Sequence, residues 1–188
     1  MGKFHRTINM IYLFVALKIE ASAIINYYKL KKISFNHFEN DKIYLKICGV
    51  GERNFLSSLS LIKTNKDDKI INFGICGAGN LSLKIGELIN ISKIQNSNKN
   101  YTLKKSVNLK NLTLQSFANP INDDKNLNCD VVDMEAFCFF EFFKNYECDI
   151  KIIKIVSDYL DSEIPKKEFI YGIINKKMAI LNREFYGE

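Results

Sequence analysis

The sequence has few of the residues that carry the commonest catalytic chemistry. It contains no tryptophan, two prolines and two histidines among 188 residues. The histidines, His5 and His37, lie in a basic tail and a polar stretch, where an imidazole is usually solvated rather than catalytic. No group of histidine, cysteine and carboxylate residues has the spacing of metal ligands. We therefore expect neither a metal site nor a cofactor.

Arginine is also scarce, although the formal net charge is +6. Arg6, Arg53 and Arg183 are the only arginines, and most of the positive charge comes from scattered lysines. Proteins that bind nucleic acids favour clustered, arginine-rich faces, so the composition argues against a nucleic-acid partner. The five cysteines are odd in number and form no Cys-x-x-Cys pair, which favours reduced thiols in a cytoplasmic protein.

Long hydrophobic runs are missing as well. The apolar residues 8–17, followed by Ala21-Ser22-Ala23, resemble a secretory signal peptide, but Lys18 and Glu20 interrupt that pattern. The run is also too short to cross a membrane. We interpret residues 10–17 as the first core strand and keep secretion as the less favoured alternative.

The rest of the chain alternates apolar strands with helices. A length of 188 residues with 47% hydrophobic content predicts one domain, residues 1–188. The alternation, with one hairpin turned at Asn40-Asp41, predicts an α/β fold, a three-layer sandwich around a mixed, mostly parallel sheet. The predicted strands cover residues 10–17, 69–73, 87–94, 112–117 and 150–156, and the predicted helices cover residues 21–32, 54–63, 134–143 and 165–185.

The stretch from residue 130 to residue 161 is the most informative. Asp133 is a good helix N-cap, and the phenylalanines of residues 137–143 predict a helix that is apolar on most sides and buried. The next strand, residues 150–156, is almost continuously apolar, as in a parallel strand covered on both faces. Such strands place active-site residues at their carboxyl ends, where Asp158 follows.

Three carboxylates lie at the ends of predicted elements. Glu20 follows the first strand, Glu135 falls in the first turn of a helix, and Asp158 follows a strand. Without a catalytic histidine or a metal, such carboxylates suit acid and base catalysis through an oxocarbenium-like transition state, which predicts cleavage of a glycosyl bond. We expect the glycines of residues 74–79 to form a loop at a strand end, although they match neither the dinucleotide fingerprint nor a P-loop.

Two spaced motifs give the chain a family resemblance. Val132-Asp133-Met134-Glu135-Ala136, followed by Ile155-Val156-Ser157-Asp158, closely resembles the paired Met-Glu and Ser-Asp motifs of the nucleoside phosphorylase and nucleosidase family. Residues 16–21, Gly49-Val50-Gly51 and the glycine-rich residues 71–77 resemble further segments of that family, in the same order. The resemblance implies a nucleoside phosphorylase-like fold and a small-molecule nucleoside substrate, with no role for nucleic acid or membrane.

The resemblance also implies roles for catalytic residues. In the branch that hydrolyses methylthioadenosine and S-adenosylhomocysteine, the glutamate matching Glu20 helps activate the attacking water. The aspartate matching Asp158 donates a proton towards N7 of the departing purine, and the serine matching Ser157 orients it. We therefore expect Glu20, Asp158 and Ser157 to be catalytic.

The remaining assignments concern binding. Met134 and Glu135 match the residues that hold the ribose, with the glutamate accepting hydrogen bonds from the sugar hydroxyls. Phe117 and Ile121 lie in the segment expected to bind the base, and we assign them to stacking on the purine. The resemblance further implies a cytoplasmic homodimer that acts in methionine salvage.

The attacking nucleophile is either water or phosphate. A phosphorylase needs a pre-formed anion site, usually with arginine, because the guanidinium matches phosphate geometry. Arg53 lies beside the turn of residues 49–51, and Arg6 reaches a site only if the tail folds back or crosses to a partner subunit. We favour a nucleosidase, and the alternatives are a phosphorylase, a futalosine-type nucleosidase and a non-catalytic nucleoside-binding protein of the same fold.

Overall fold

The structure, a computed structural model, describes residues 9–122, 127–160 and 165–186; His5 and Arg6 lie outside the described residues. No helix in the described part of the chain is long and apolar enough to cross a membrane. The described helices are α1 (Lys18–Tyr28), α2 (Glu52–Ser58), α3 (Ala136–Phe143), α4 (Lys167–Asn175) and α5 (Met178–Tyr186). The described strands are β1 (Ile11–Val15), β2 (Lys31–Ser34), β3 (His37–Glu39), β4 (Ile43–Ile47), β5 (Lys69–Ala78), β6 (Leu88–Gln95), β7 (Asn100–Thr102), β8 (Lys110–Ser116), β9 (Val131–Asp133) and β10 (Asp149–Asp158).

The described strands form one sheet, part of which closes on itself. Strands β5, β9, β8, β6 and β10 each pair with the next, and β10 pairs back with β5, so these strands form a closed barrel. Strands β1, β4, β3 and β2 extend from β5 in that order, and β7 pairs with β6.

The predicted α/β class with a mixed sheet is confirmed. Parallel pairing joins β1 with β4, β1 with β5, β5 with β10, β6 with β8, and β8 with β9. An equal share of the described pairings is antiparallel, so the sheet is less parallel than predicted. The finer expectation of a three-layer sandwich is not confirmed, because a barrel replaces an open layer over part of the sheet.

The central strands bring distant parts of the sequence to one edge. The interpretation of residues 10–17 as a core strand is confirmed, since β1 is buried along its whole length and pairs with β5. β10 also pairs with β5, in a register that runs from Asp149 opposite Lys69 to Asp158 opposite Gly77. Because all three strands run parallel, their carboxyl ends meet at one edge, as in other α/β sheets that carry active sites there.

Apolar side chains pack against both faces of the sheet. In β1, Ile11, Leu13 and Val15 join a buried cluster with α1, α4 and α5. Tyr12 and Phe14 point to the other face and join a cluster with α2 and α3. This alternation is what the two-residue period of a strand requires when both faces are covered.

The aromatic helix α3 is buried, as its sequence predicts. Phe139 and Phe143 have no exposed surface. The ring of Phe14 in β1 lies 5.0 Å from that of Phe143 and 5.9 Å from that of Phe139, measured between centroids. Aromatic pairs at this spacing and tilt are favourable, so the packing holds the middle and the end of α3 against the sheet.

The prediction of a glycine-rich loop at residues 74–79 is wrong, because β5 continues to Ala78. Two of its glycines serve close packing instead of a turn. A Cβ atom on Gly74 would lie 2.8 Å from Oε1 of Glu20, and one on Gly77 would lie 2.6 Å from Cδ2 of Leu160. Glycine is needed there because other residues occupy the space of a side chain.

Other element boundaries also differ from the predictions. The last predicted helix, residues 165–185, is divided into α4 and α5, and the helix predicted to reach residue 63 ends at Ser58. The short strand β9 was not predicted, although Asp133 closes it. β9 pairs with β5 and β8, so it carries the chain across the barrel directly into the start of α3.

Candidate active site

A cavity of about 370 Å³ opens at the edge where β1, β5 and β10 end. Its wall includes the turn of residues 16–17, the end of β5 and the start of α3. No lysine or arginine is among the described residues that line it. All the residues to which the sequence analysis assigns a role line this cavity: Glu20, Phe117, Ile121, Met134, Glu135, Ser157 and Asp158.

Asp158, the last residue of β10, is held by two hydrogen bonds. Its Oδ1 accepts from the backbone N–H of Leu160 at 3.0 Å, and its Oδ2 lies 2.6 Å from Oγ of Ser157. Ser157 is buried, and its Oγ also lies 3.1 Å from the carbonyl oxygen of Cys76. Ser157 and Asp158, which the Ser-Asp motif pairs in sequence, are therefore in contact in the structure.

Ser157 can form a hydrogen bond with Asp158 whether that carboxyl group is ionised or protonated. A hydroxyl group has one proton, and the carbonyl oxygen of Cys76 can only accept. When Asp158 is ionised, Ser157 donates to it; when Asp158 is protonated, it can donate to Ser157, which then donates to Cys76. The arrangement therefore suits a carboxyl group that gives up a proton.

Leu160 has a strained backbone next to this carboxyl group. Its φ of 63° lies in the left-handed region, which costs a residue with a side chain about 1–2 kcal/mol. The same residue donates its N–H to Asp158 and places its side chain over Gly77. Such strain persists where surrounding contacts impose it, and here those contacts aim Asp158 at the cavity.

Glu20 lies in the first turn of α1 and is 2% exposed. Its Oε2 accepts from the N–H of Leu17 at 2.7 Å, and its Oε1 accepts from the N–H of Ile75 at 2.8 Å. Burial raises the pKa of this carboxyl group, while the hydrogen bonds from Ile75 and Leu17 act in the opposite direction. Backbone donors from α1 and β5 thus fix a carboxylate that burial makes more basic.

We expect the substitution Gly74→Ala to displace Glu20 and lower activity by about 10- to 100-fold, since misplacement by about 1 Å costs that much. The added Cβ would lie 2.8 Å from Oε1 of Glu20 and 3.3 Å from Cδ. Steady-state kinetics measure the loss. Gly172→Ala in α4 is the matched control, because no atom lies within 4 Å of its added Cβ apart from its chain neighbours and the backbone of its own helix. Unchanged activity in Gly74→Ala, or an equal loss in the control, would contradict the catalytic assignment of Glu20.

Glu135 is at the N-cap position of α3 and is also buried. Its Oε1 accepts from the N–H of Gly51 at 2.6 Å. Burial raises the pKa of Glu135 to about 7, the charge of Asp133 adds to this effect, and Lys154 opposes it. The neighbouring Met134 lines the same wall, with its methyl carbon 3.9 Å from the position of a Cβ on Gly51.

Asp133 does more than the helix cap that its sequence position predicts. Its Oδ2 accepts from the N–H of Ala136 at 3.0 Å, as a capping residue does, although the cap position itself is Glu135. The same oxygen lies 2.7 Å from Nζ of Lys154, and Oδ1 accepts from Oγ of Ser116 at 2.5 Å. Asp133 therefore joins β8, β9, β10 and α3.

Lys154 is the residue that the sequence analysis missed. It lies within β10 between Ile153 and Ile155, and only 2% of it is exposed. Nothing local distinguishes it from a lysine at a strand surface. A signal was nevertheless present, since a lysine in a strand otherwise predicted to be covered on both faces needs a buried anionic partner.

The two residues assigned to the purine base line the cavity, whereas Arg53 does not. Phe117 and Ile121 line the mouth of the cavity and are partly exposed. Arg53 is exposed on α2 and does not line the cavity. Within residues 9–122, 127–160 and 165–186, no group of histidine, cysteine and carboxylate side chains is arranged to hold a metal ion.

Comparisons with known proteins identify the fold. No protein-family model matches the sequence, and no curated protein matches it. The structure matches the solved structure of MTAN from Chlamydia trachomatis bound to MTA, with a TM-score of 0.78, 19% sequence identity and coverage of 96% of this chain and 98% of that chain. It also matches the 5′-methylthioadenosine/S-adenosylhomocysteine nucleosidase from Helicobacter pylori with butyl-thio-DADMe-Immucillin-A, with a TM-score of 0.77, 13% identity and coverage of 97% and 100%.

A third solved structure extends the comparison to another nucleosidase. A futalosine hydrolase mutant of Helicobacter pylori matches with a TM-score of 0.77, 14% identity and coverage of 93% of this chain and 97% of that chain. These matches cover nearly the whole of each chain. The chain has the fold of the methylthioadenosine/S-adenosylhomocysteine nucleosidases, which is the fold that the resemblance of its motifs implies.

Proposed function

We propose that the protein is a purine nucleosidase that hydrolyses the N-glycosidic bond of a 5′-modified adenosine, such as methylthioadenosine or S-adenosylhomocysteine, and releases the free base. The observation that carries the proposal is the convergence of Glu20, Glu135 and Asp158 on one cavity. The fold adds support, since similar structures are named as nucleosidases of this class. The three carboxylates suit a reaction in which positive charge develops on the sugar.

In the proposed reaction, the bond between C1′ and the purine nitrogen breaks and its electron pair goes to the base. Asp158 gives its proton to N7 and so neutralises the leaving purine. A water molecule adds to C1′, and its proton passes to Glu20. The burial that raises the pKa of Glu20 makes it a stronger base for this step.

Glu135 has a separate role in the proposal. Its ionised carboxylate accepts hydrogen bonds from the ribose hydroxyls, while Met134 packs against the sugar. The N–H of Gly51 holds one carboxylate oxygen and leaves the other for the substrate. Carboxylates near the sugar also stabilise the positive charge that develops in the transition state.

Water is the favoured nucleophile because the described lining of the cavity has no built anion site. A phosphorylase would need cationic side chains to hold phosphate. No lysine or arginine is among the described lining residues, and the exposed Arg53 lies outside the cavity. A futalosine-type nucleosidase remains a second candidate, supported by the similar fold of the Helicobacter pylori enzyme.

Release of free base tests the proposal. Methylthioadenosine, S-adenosylhomocysteine, adenosine and a futalosine-type nucleoside are each incubated with the protein, with and without phosphate, and the products are separated by chromatography. Release that does not depend on phosphate supports a nucleosidase and ranks the substrates. Release only with phosphate would indicate a phosphorylase, and binding without release a non-catalytic nucleoside-binding protein.

The pH dependence of activity follows from Glu135. Burial raises the pKa of Glu135 to about 7, so its carboxylate gains a proton as the pH falls through 7. The protonated group can no longer accept hydrogen bonds from both ribose hydroxyls. We expect kcat/KM to fall about tenfold per pH unit below about 7, because this parameter reports groups of the free enzyme. Glu135→Gln should lower kcat/KM and remove this limb; an unchanged limb in the variant would assign it to another group.

We also propose that the chain acts as one domain and as a homodimer in the cytoplasm, with a role in methionine salvage. Val50, which lines the cavity, and Leu56 in α2 are exposed apolar residues, and covering them would support a dimer. Sedimentation equilibrium measures subunit number, and a monomer at micromolar concentration would contradict that part of the proposal.

A further inference from the structure

Lys154 lies in a buried cluster with three carboxylates. Its Nζ is 2.7 Å from Oδ2 of Asp133, and both side chains are 2% exposed. Lys154 lies directly opposite Gly74 in the pairing of β10 with β5. Since the Glu20 carboxylate occupies the space above Gly74, the ammonium group and Glu20 share one face of the sheet. Glu135, two residues after Asp133, completes the cluster.

We propose that Lys154 is a positioning residue that keeps Glu135 and Glu20 ionised, and that it thereby sets the lowest pH at which the active site works. This inference rests on the proposed function, in which Glu135 binds the sugar and Glu20 accepts a proton from water. Lys154 itself does not line the cavity.

The charges that face Lys154 come from several elements. Glu20 comes from α1, Asp133 from β9 and Glu135 from the start of α3, while Cys76 faces it from β5. Burial raises the pKa of the Cys76 thiol, so that group stays neutral. Burial alone would lower the pKa of Lys154, but Asp133, Glu135 and Glu20 raise it, so the lysine remains charged.

One cation therefore balances three buried acidic groups. Asp133 is already satisfied, because its oxygens accept from Lys154, Ala136 and Ser116. Within the described residues, neither Glu135 nor Glu20 forms an ion pair. Backbone N–H groups favour the ionised form of each carboxyl group, and the ammonium group of Lys154 is the cation that adds to their effect. Removal of that charge should make both carboxylates harder to ionise.

The test uses variants of the full chain that change charge in opposite directions. Lys154→Met keeps a long side chain without the charge, and we expect the acidic limb of kcat/KM to move up by about one pH unit or more. Lys154→Arg should return the limb to its position in the unmodified protein. Asp133→Asn should move the limb down, because it removes the negative charge that raises the pKa of Glu135 and leaves the charge of Lys154 in place.

The acidic limb of kcat/KM should shift in opposite directions in Lys154→Met and Asp133→Asn. A purely structural role of Lys154 would instead lower activity equally at every pH. Lys151→Met is the matched control, since Lys151 lies on the same strand but pairs with Glu184 away from the cavity. If Lys154→Met does not fold, the double variant Asp133→Asn/Lys154→Met removes the buried ion pair as a whole, and its acidic limb should lie above that of Asp133→Asn. A limb that stays in place in the folded variants would overturn the proposal.

A second measurement does not require activity. Carbon-13 NMR of selectively labelled glutamate carboxyl groups follows the titration of Glu135, assigned with Glu135→Gln. We expect its apparent pKa to rise in Lys154→Met and to fall in Asp133→Asn. If the unmodified protein releases no base, the proposed function fails, but this titration still tests the role of Lys154. If the titration of Glu135 does not shift in the variants, the role of Lys154 is overturned, whatever the result of the base-release assay.

Discussion

Replacement of Asp158 by asparagine is expected to lower the rate of base release by about 10²- to 10⁴-fold, the usual contribution of a general acid. Asparagine cannot supply the proton that N7 of the leaving purine requires. The loss should appear in kcat rather than in KM, because the missing interaction forms only as the glycosidic bond breaks. Single-turnover measurements at saturating methylthioadenosine separate this chemical step from product release.

The asparagine variant should also keep its fold and its ligand. The amide oxygen can accept from the N–H of Leu160, and the amide N–H can donate to Ser157, which then donates to the carbonyl oxygen of Cys76. Every hydrogen bond around residue 158 is therefore replaced. Thermal unfolding and adenine binding measured beside kcat serve as controls, and turnover within about threefold of the unmodified protein would remove Asp158 from the mechanism.

A substrate that needs no protonation sharpens this test. A nitrophenyl riboside has a leaving group that departs as a stable anion, so a general acid contributes little to its cleavage. If Asp158 is the acid, Asp158→Asn should hydrolyse this substrate nearly as fast as the unmodified protein does. An equal loss on both substrates would mean that the substitution damages the site as a whole.

Much of the site could be predicted because its residues lie next to strand ends. Glu20 follows β1 and Asp158 ends β10, and both strands run parallel beside β5. A single parallel register then brings together residues that are far apart in sequence. Glu135 was predictable for another reason, since the aromatic run after it marks a buried helix whose first turn is fixed.

The parts that could not be predicted depend on long-range partners. Lys154 stands in an apolar strand, and its partner Asp133 looks like an ordinary helix cap until β9 and β10 are placed. The glycines of β5 look like a loop because a sequence does not show that Glu20 fills the space above Gly74. Closure of the barrel likewise needs β10 to pair with both β5 and β6, which no local pattern specifies.

Replacement of Glu20 by glutamine is the second change with a large expected effect, a loss of about 10²- to 10⁴-fold in kcat. Glutamine has the size of glutamate but cannot take the proton of the attacking water. Since Glu20 is buried beside the backbone of β5 and is proposed to act on water rather than on the base, the affinity for adenine should change little. Stopped assays of base release give kcat, and adenine binding gives the matched measure of an intact pocket.

The glutamine variant should also have a lower free energy of unfolding. This loss of stability has to be distinguished from the loss of kcat. The two oxygens of Glu20 accept from Leu17 and Ile75, and glutamine offers one oxygen, so one buried N–H loses its acceptor at a cost of about 1–3 kcal/mol. This cost is partly offset because an uncharged side chain is easier to bury. Activity is therefore compared at a temperature well below the unfolding transition of the variant.

The nitrophenyl riboside distinguishes the two carboxylates. Water must still be activated when the leaving group departs without a proton, so the Glu20→Gln variant should remain slow on this substrate, whereas Asp158→Asn should recover. Recovery in both variants would place Glu20 with the leaving group instead of the water. If neither variant recovers, the proposal that Glu20 acts on the water and Asp158 on the leaving base has no support, even though both residues line the same cavity.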